Sequence, residues 1–138
     1  MTRYQQEYDL IRQIHHLEGV IKAYSLEKHH NQLVMCLEYF GGQSLKHWLV
    51  EHPFSLEERL RLAIRAADIL GQIHQHNIIH KDINPTNWVW NPTTGQLKLI
   101  DFGISTRLSR ESMTLKNPNV LEGTLAYMSP EQTGRMNQ

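Results

Sequence analysis

Ile79-His80-Lys81-Asp82-Ile83-Asn84-Pro85-Thr86-Asn87 is the stretch that decides how this chain is read. A long helix precedes it and a pair of short strands follows, so its polar residues fall on a loop between regular elements. The helix opens at Ser55-Leu56-Glu57-Glu58, a capping box in which Ser55 caps and Glu58 reaches back. Its apolar residues recur at 56, 60, 63, 67 and 70, and again at 62, 66, 69 and 73. Two stripes predict a wide buried face and a core helix ending near Asn77. Beyond the loop, Trp88-Val89-Trp90 and Leu97 to Ile100 read as strands joined by the turn Asn91-Pro92-Thr93-Thr94-Gly95. A second polar signal, Ile100-Asp101-Phe102-Gly103, closes the second strand 19 residues beyond Asp82. Asp-x-x-x-x-Asn in a loop is, alone, ordinary turn chemistry. A chance Asp-Phe-Gly has a probability of roughly 0.5% at this composition. The two signals in this order and spacing make coincidence a poor account.

Working outward to the N-terminus, residues 2 to 15 read as a helix on which Tyr4, Leu10, Ile11 and Ile14 share a face. Glu7 falls inside that face, where a carboxylate is costly unless something cationic meets it. Gly19 breaks the pattern. Val20 to Leu26 and Leu33 to Phe40 read as two strands joined by the polar turn Lys28-His29-His30-Asn31-Gln32. Gly41-Gly42 then makes a flexible joint. It reads as a hinge rather than a phosphate cradle, because no helix N-terminus follows in the P-loop manner. A short helix runs from Ser44 to near Val50, and residues 104 to 122, without period and rich in hydroxyls, read as a loop.

Composition removes several function classes. Fourteen Lys and Arg balance 14 Asp and Glu, so no general electrostatic drive toward nucleic acid or an anionic membrane exists. The longest apolar run, Leu33 to Leu37, is far short of a membrane span, and Met1 to Glu7 has no apolar signal core. One cysteine, Cys36, makes neither an internal disulfide nor a zinc finger, and reads as a small hydrophobe in a strand. The nine histidines read as surface and helix-end groups, since a zinc site needs three or four converging ligands. The expectation is a soluble cytoplasmic domain without a nucleic-acid or membrane partner.

A third segment, Gly123-Thr124-Leu125-Ala126-Tyr127-Met128-Ser129-Pro130-Glu131, completes the pattern. Together the three segments resemble the catalytic loop, metal-binding motif and activation-segment end of a eukaryotic-type Ser/Thr protein kinase. His-Lys-Asp-Ile-Asn-Pro with Glu-Gly-Thr-Leu-Ala-Tyr-Met-Ser-Pro-Glu-Gln-Thr-Gly-Arg-Met further resembles the kinase module of large cyanobacterial-type multidomain signalling kinases. The resemblance implies a two-lobed α+β fold seen in part: residues 1–40 in the small lobe, and residues 41–138 in the hinge and large lobe. It implies ATP and Mg²⁺ as cofactors and a protein Ser or Thr hydroxyl as acceptor. Phosphoryl transfer needs orientation and charge neutralisation more than covalent help, which suits these residue types. By resemblance, Asp82 handles the acceptor hydroxyl's proton, Thr124 lies near it and helps select Ser or Thr, and Asn87 and Asp101 hold Mg²⁺. Glu7 corresponds to the helix carboxylate that pairs with the ATP-orienting Lys. Leu37 corresponds to the gatekeeper, Glu38-Tyr39-Phe40 to the backbone that reads adenine, and Val89 to a further nucleotide-site residue. His80 and Phe102 pack between helix and loop.

Two residues depart from the family pattern. Lys81 stands where the family has Arg, and Lys does not make the bidentate phosphate contact, which weakens any control through Ser105, Thr106, Ser109, Ser112 or Thr114. Asn84 stands where most members have a Lys that steadies the transferring phosphate. The resemblance also implies a Gly-rich loop and its Lys before the Glu7 helix, an Arg partner for Glu131 and more large-lobe helices. This chain is therefore expected to be the middle of a kinase domain that relies on the remainder, or on a parent multidomain protein, for stability. Two other functions compete: a pseudokinase serving as an interaction segment, and a small-molecule kinase of the aminoglycoside or choline type. The latter enzymes generally lack Gly-Thr-x-x-Tyr-x-x-Pro-Glu, which is present here.

Overall fold

The computed structural model describes residues 2–108 and 122–133. Helix α1 (Arg3–Ile14) starts at Thr2, whose hydroxyl accepts the Gln5 N–H, and buries Ile11 and Ile14. The chain after it closes tightly on the rest of the molecule. A Cβ on Gly19 would sit 2.2 Å from Ile69 Cγ1, a separation no side chain can take. Gly19 C=O accepts the Leu99 N–H at 2.8 Å, and Val20 forms a parallel bridge to Leu99.

Strands β1 (Ala23–His29) and β2 (Gln32–Leu37) make an antiparallel hairpin. Its turn is the two residues His30 and Asn31, both at positive φ (44° and 65°), as a two-residue hairpin turn of right-handed twist requires. This corrects the five-residue polar turn expected from sequence. Glu27, Lys28 and His29 belong to the ladder, because this end of the hairpin is exposed on both faces and tolerates polar side chains. The first strand therefore starts and ends about three residues later than its apolar run suggests. The second stops at Leu37 rather than reaching Phe40.

Strand β3 (Gln43–Ser44) leads into α2 (Leu45–Glu51), capped by the Ser44 hydroxyl, and then into α3 (Leu56–Gln75). The capping box at Ser55 and Glu58 is formed in both directions. The wide buried face expected for α3 is not. Ile69 and Ile73 are buried, with Leu62, Ala66 and Leu70 packed beside them, but Leu56, Leu60 and Ile64 are 74%, 54% and 69% exposed. The described residues cover the stripe at 62, 66, 69 and 73 together with Leu70, and leave the rest of the other stripe open.

Four short strands complete the fold: β4 (Ile78–Ile79), β5 (Trp88–Trp90), β6 (Leu97–Leu99) and β7 (Thr106–Arg107). β3, β5 and β6 form one sheet in that order, with Val89 opposite Lys98, while β4 pairs antiparallel with β7. The β4–β7 pairing corrects the loop expected over residues 104 to 122. Two residues per strand show no alternation from which a strand could be read. Single 3₁₀ turns cover Leu125–Tyr127 and Pro130–Thr133. Ser109, Ser112, Thr114 and Gly134-Arg135-Met136 lie outside the described residues. One apolar cluster joins α1, α3 and the strands through Ile11, Ile14, Ile73, Trp88, Leu99 and Phe102. The mixed helix and strand content is that of a partial α+β kinase-like fold.

Candidate active site

A cleft of about 640 Å³ lies between α1, the β1–β2 hairpin and the β5–β6 strands. Glu7, Leu37, Glu38, Phe40, Val89 and Asp101 all line it, so the six residues that resemblance assigns to the nucleotide come together from four separate segments. The backbone along its edge is unevenly engaged. Glu38 N–H donates to Lys22 C=O, and Phe40 C=O accepts from the Asn91 amide at 2.8 Å. Glu38 C=O and Phe40 N–H make no hydrogen bond to another described residue. Gly42 is held against the floor: a Cβ there would meet Val89 Cγ1 at 2.6 Å.

Asp82, Asn87 and Thr124 form a second cluster. Asp82 Oδ1 accepts from Thr124 Oγ1 (2.6 Å), Thr124 N–H (2.9 Å) and Asn84 Nδ2 (3.0 Å), and Oδ2 accepts from Asn87 Nδ2 (3.2 Å). Partial burial pushes the Asp82 pKa up, but the Thr124, Asn84 and Asn87 donors outweigh it and hold the carboxyl below its ordinary range. Asn84 is itself buried. Its amide nitrogen also reaches Thr124 Oγ1 at 3.1 Å, and its oxygen accepts the Thr86 N–H at 2.8 Å. Asn87 Nδ2 also donates to Asp82 C=O at 2.8 Å, so both of its bonds to Asp82 use the amide nitrogen and neither uses the amide oxygen.

The two clusters are tied by backbone and by a histidine. Ile100 N–H donates to Asn87 C=O, which sets Asn87 beside the strand that carries Asp101. His80 accepts the Asp82 N–H at Nδ1 (3.2 Å), donates from Nε2 to Ile100 C=O (3.2 Å) and stacks edge-on against Phe102 at 4.9 Å. That pair of bonds needs the neutral Nε2–H tautomer. Burial lowers the His80 pKa accordingly. Asp101 is at φ 58° and Lys81 at φ 71°, conformations unusual for residues other than glycine and typical of constrained sites. Asp101 Oδ1 accepts the Gly103 N–H at 3.2 Å.

Glu7 reaches this segment from α1 and accepts the Phe102 N–H at 3.1 Å. Burial and then the Asp101 carboxylate raise its pKa, against the opposing pull of the Phe102 N–H and Arg3. Arg3 donates from Nε to Gly103 C=O at 2.8 Å, a second link between α1 and Asp101-Phe102-Gly103 that the sequence reading missed. Four positions apart, Arg3 and Glu7 share one helix face, and that spacing was the available signal. Gly123, at φ 121°, lies so close to Lys81 that a Cβ would be 2.9 Å from its carbonyl. Lys81 Nζ meets Glu122 at 3.4 Å, and Gln132 Nε2 donates to Lys81 C=O at 3.0 Å, so the 122–133 segment is fastened to the loop.

Oxygen donors at Asn87 and Asp101 suit a hard divalent cation that keeps part of its shell for phosphate oxygens. Among the described residues no three His, Cys, Asp or Glu side chains converge in the manner of an all-protein metal cage.

Comparison with known proteins fits this geometry. The family model described as "Protein kinase domain" matches residues 1–138. The serine/threonine-protein kinase PrkC of Bacillus subtilis is 30% identical over 133 residues, 96% of this chain and 20% of the relative. The probable serine/threonine-protein kinase PknB of Lactococcus lactis is 28% identical over 133 residues, 96% of this chain and 21% of the relative. The serine/threonine-protein kinase STE11 of Saccharomyces cerevisiae is 33% identical over 130 residues, 92% of this chain and 18% of the relative. The chain thus spans about a fifth of the length of these curated relatives. A cleft, an acid-bearing loop and an Asp-Phe-Gly turn in one array, with a match along the whole sequence, lead to one assignment: the chain belongs to the protein kinase family.

Proposed function

We propose that the chain carries the phosphoryl-transfer site of a Ser/Thr protein kinase, using ATP and Mg²⁺ and a Ser or Thr hydroxyl of a protein as acceptor. The observation that carries this is the Asp82 carboxylate, fixed by Thr124, Asn84 and Asn87 and joined through Ile100 to the cleft that Asp101 enters. Asp82 Oδ1 is filled by its donors, so the acceptor hydroxyl is directed to Oδ2, where a carboxylate held ionised takes or orients the proton. Asn87 Oδ1 and Asp101 would hold Mg²⁺, which neutralises charge on the phosphates. Glu38 C=O and Phe40 N–H face the adenine edge with one acceptor and one donor, Leu37 and Val89 bound the base, and Glu7 orients the phosphate side. The two parts, residues 1–40 and 41–138, act as the facing sides of that cleft.

The relatives' printed names support the Ser/Thr type. The wording His-Lys-Asp-Ile-Asn-Pro supports the finer placement among large multidomain signalling kinases of cyanobacterial type, with the rest of such a protein as partner. No helix among the described residues is long and apolar enough to cross a membrane, and a cytoplasmic site of action agrees with ATP as donor.

One observation favours a second reading, a pseudokinase: Asn84 supplies a neutral amide where a cation would steady the phosphate. A transfer assay with Mg–ATP and a Ser/Thr-rich protein acceptor decides between them. The kinase reading expects phosphorylation that Asp82→Asn reduces by about 10²–10⁴-fold. Wild type and Asp82→Asn indistinguishable, with Mg–ATP still bound, would establish the pseudokinase.

A further inference from the structure

Lys98 is the centre residue of β6 and should, by strand alternation, be an ordinary polar side chain. Instead it is 3% exposed. Its register partner is Val89 on β5, and directly opposed residues of an antiparallel pair project from the same face, so Lys98 emerges beside the cleft floor. There Nζ donates to Glu38 Oε1 at 2.8 Å and stands 5.5 Å from the centre of the Phe40 ring. The same Glu38 oxygen accepts the Lys22 N–H at 2.8 Å. Both partners of the ion pair are nearly closed to water, with side chains 4% and 11% exposed. A pair in such surroundings holds its geometry rigidly, because parting the charges leaves each one desolvated and alone.

The consequence falls on the segment between those anchors. Glu38 is held at its side chain by Lys98 and at its N–H by Lys22, and Phe40 is held at its ring by Lys98 and at its C=O by Asn91. Several backbone groups there make no hydrogen bond to another described residue, those of Tyr39 included, and among them Glu38 C=O and Phe40 N–H are an acceptor and a donor on the cleft edge. We propose that Lys98 is a positioning residue for base recognition. By holding the Glu38 carboxylate and bracing the Phe40 ring, it fixes the spacing of that acceptor–donor pair for the adenine edge. This rests on the reading of the cleft as the nucleotide site.

Discrimination between bases separates positioning from mere support. A guanine presents an acceptor where adenine presents its amino donor, so a fixed acceptor–donor edge favours ADP over GDP. Titration calorimetry of the 138-residue chain with ADP and GDP, each with Mg²⁺, should show ADP preferred in wild type. In Lys98→Met the preference should shrink by about tenfold through loss of ADP affinity with GDP unchanged, and Lys98→Arg should restore most of it. Equal weakening of both nucleotides, or an unchanged ratio, overturns the proposal. Should Lys98→Met fail to fold, the double variant Glu38→Gln with Lys98→Met removes both charges at nearly constant shape and must show the same lost preference. If wild type binds neither nucleotide, the cleft reading falls by itself. Lys98 is then judged on amide exchange at Phe40 by NMR: faster exchange there in the variant, with Ile73 unchanged, supports the pinning, and equal rates overturn it.

Discussion

Asp82 and Asp101 are the same residue on neighbouring segments, yet their surroundings are opposite. Asp82 accepts at both oxygens from Thr124, Asn84 and Asn87, and its backbone N–H is bonded to His80. Asp101 accepts from the Gly103 N–H alone among the described residues, at a positive φ that turns it toward the cleft. The first carboxylate is preorganised by protein donors, which is what the proposed function asks of a group that handles a proton. The second has few protein partners, which is what the proposed function asks of a group that would meet a cation. Asn87 gives its amide nitrogen to Asp82 at both the carboxylate and the backbone carbonyl, and under the proposed function its oxygen would serve the cation.

That contrast can be broken from either end. Asp101→Asn should have the largest effect: Mg²⁺-dependent ATP binding weakened on the order of a hundredfold, with binding of metal-free nucleotide nearly unchanged, read by calorimetry with and without EDTA. Equal loss in both conditions would remove Asp101 from the cation's surroundings. Asn84→Ala attacks the preorganised side. It removes a buried donor shared by Asp82 and Thr124, so urea unfolding should show a loss of about 1–3 kcal/mol, while a carbon-detected NMR titration finds the Asp82 pKa moved upward. A stability loss with the titration unchanged would make Asn84 a packing residue.

The smallest effect concerns His80, which joins the two regions. Its folded pKa lies below the ordinary value because burial disfavours the imidazolium. In the pH interval between the folded value and about 6.5 the unfolded chain binds more protons, so stability rises with pH there and is lost on acidification. The slope is at most about 1.4 kcal/mol per pH unit. Urea midpoints at pH 7.5 and 5.5 should therefore differ in wild type more than in His80→Gln. Matching pH dependences would show that another group dominates.

The grouping of Asp82 with Asn87 and Thr124 was legible because these residues are close in sequence or fall in short runs that carry the family resemblance. Asp82 and Asn87 share one loop, and Thr124 is found by its following Tyr127 and Pro130, whereas Asn84 reads in sequence only as a departure and its bonds to Asp82 and Thr124 appear only in the structure. The capping box at Ser55 was equally plain, since a local bond needs only local sequence. What escaped was set by tertiary contact. Lys98 sits in a strand of alternating character whose polar side has no visible reason to be buried until Glu38 arrives from 60 positions away. Arg3 looked like any N-terminal cation until Gly103 was beside it. The exposed face of α3, with Leu56 and Leu60 of the first stripe and Ile64 beside them, departs from expectation for the reverse reason. Periodicity states which residues could be covered, and the described residues hold no element that covers Leu56, Leu60 and Ile64.

Gly19 has a bearing on how variants of this protein would be interpreted. It touches neither the cleft nor the Asp82 cluster, yet its missing side chain lets the segment between α1 and β1 lie against Ile69 and reach Leu99, two residues before Asp101. Any larger residue would act as a wedge that tilts α1, and with it Glu7 and Arg3, away from Asp101-Phe102-Gly103. Under the proposed function, a geneticist scoring inactive alleles would recover position 19 alongside the acids, and would be mapping a hinge pin rather than a reactant.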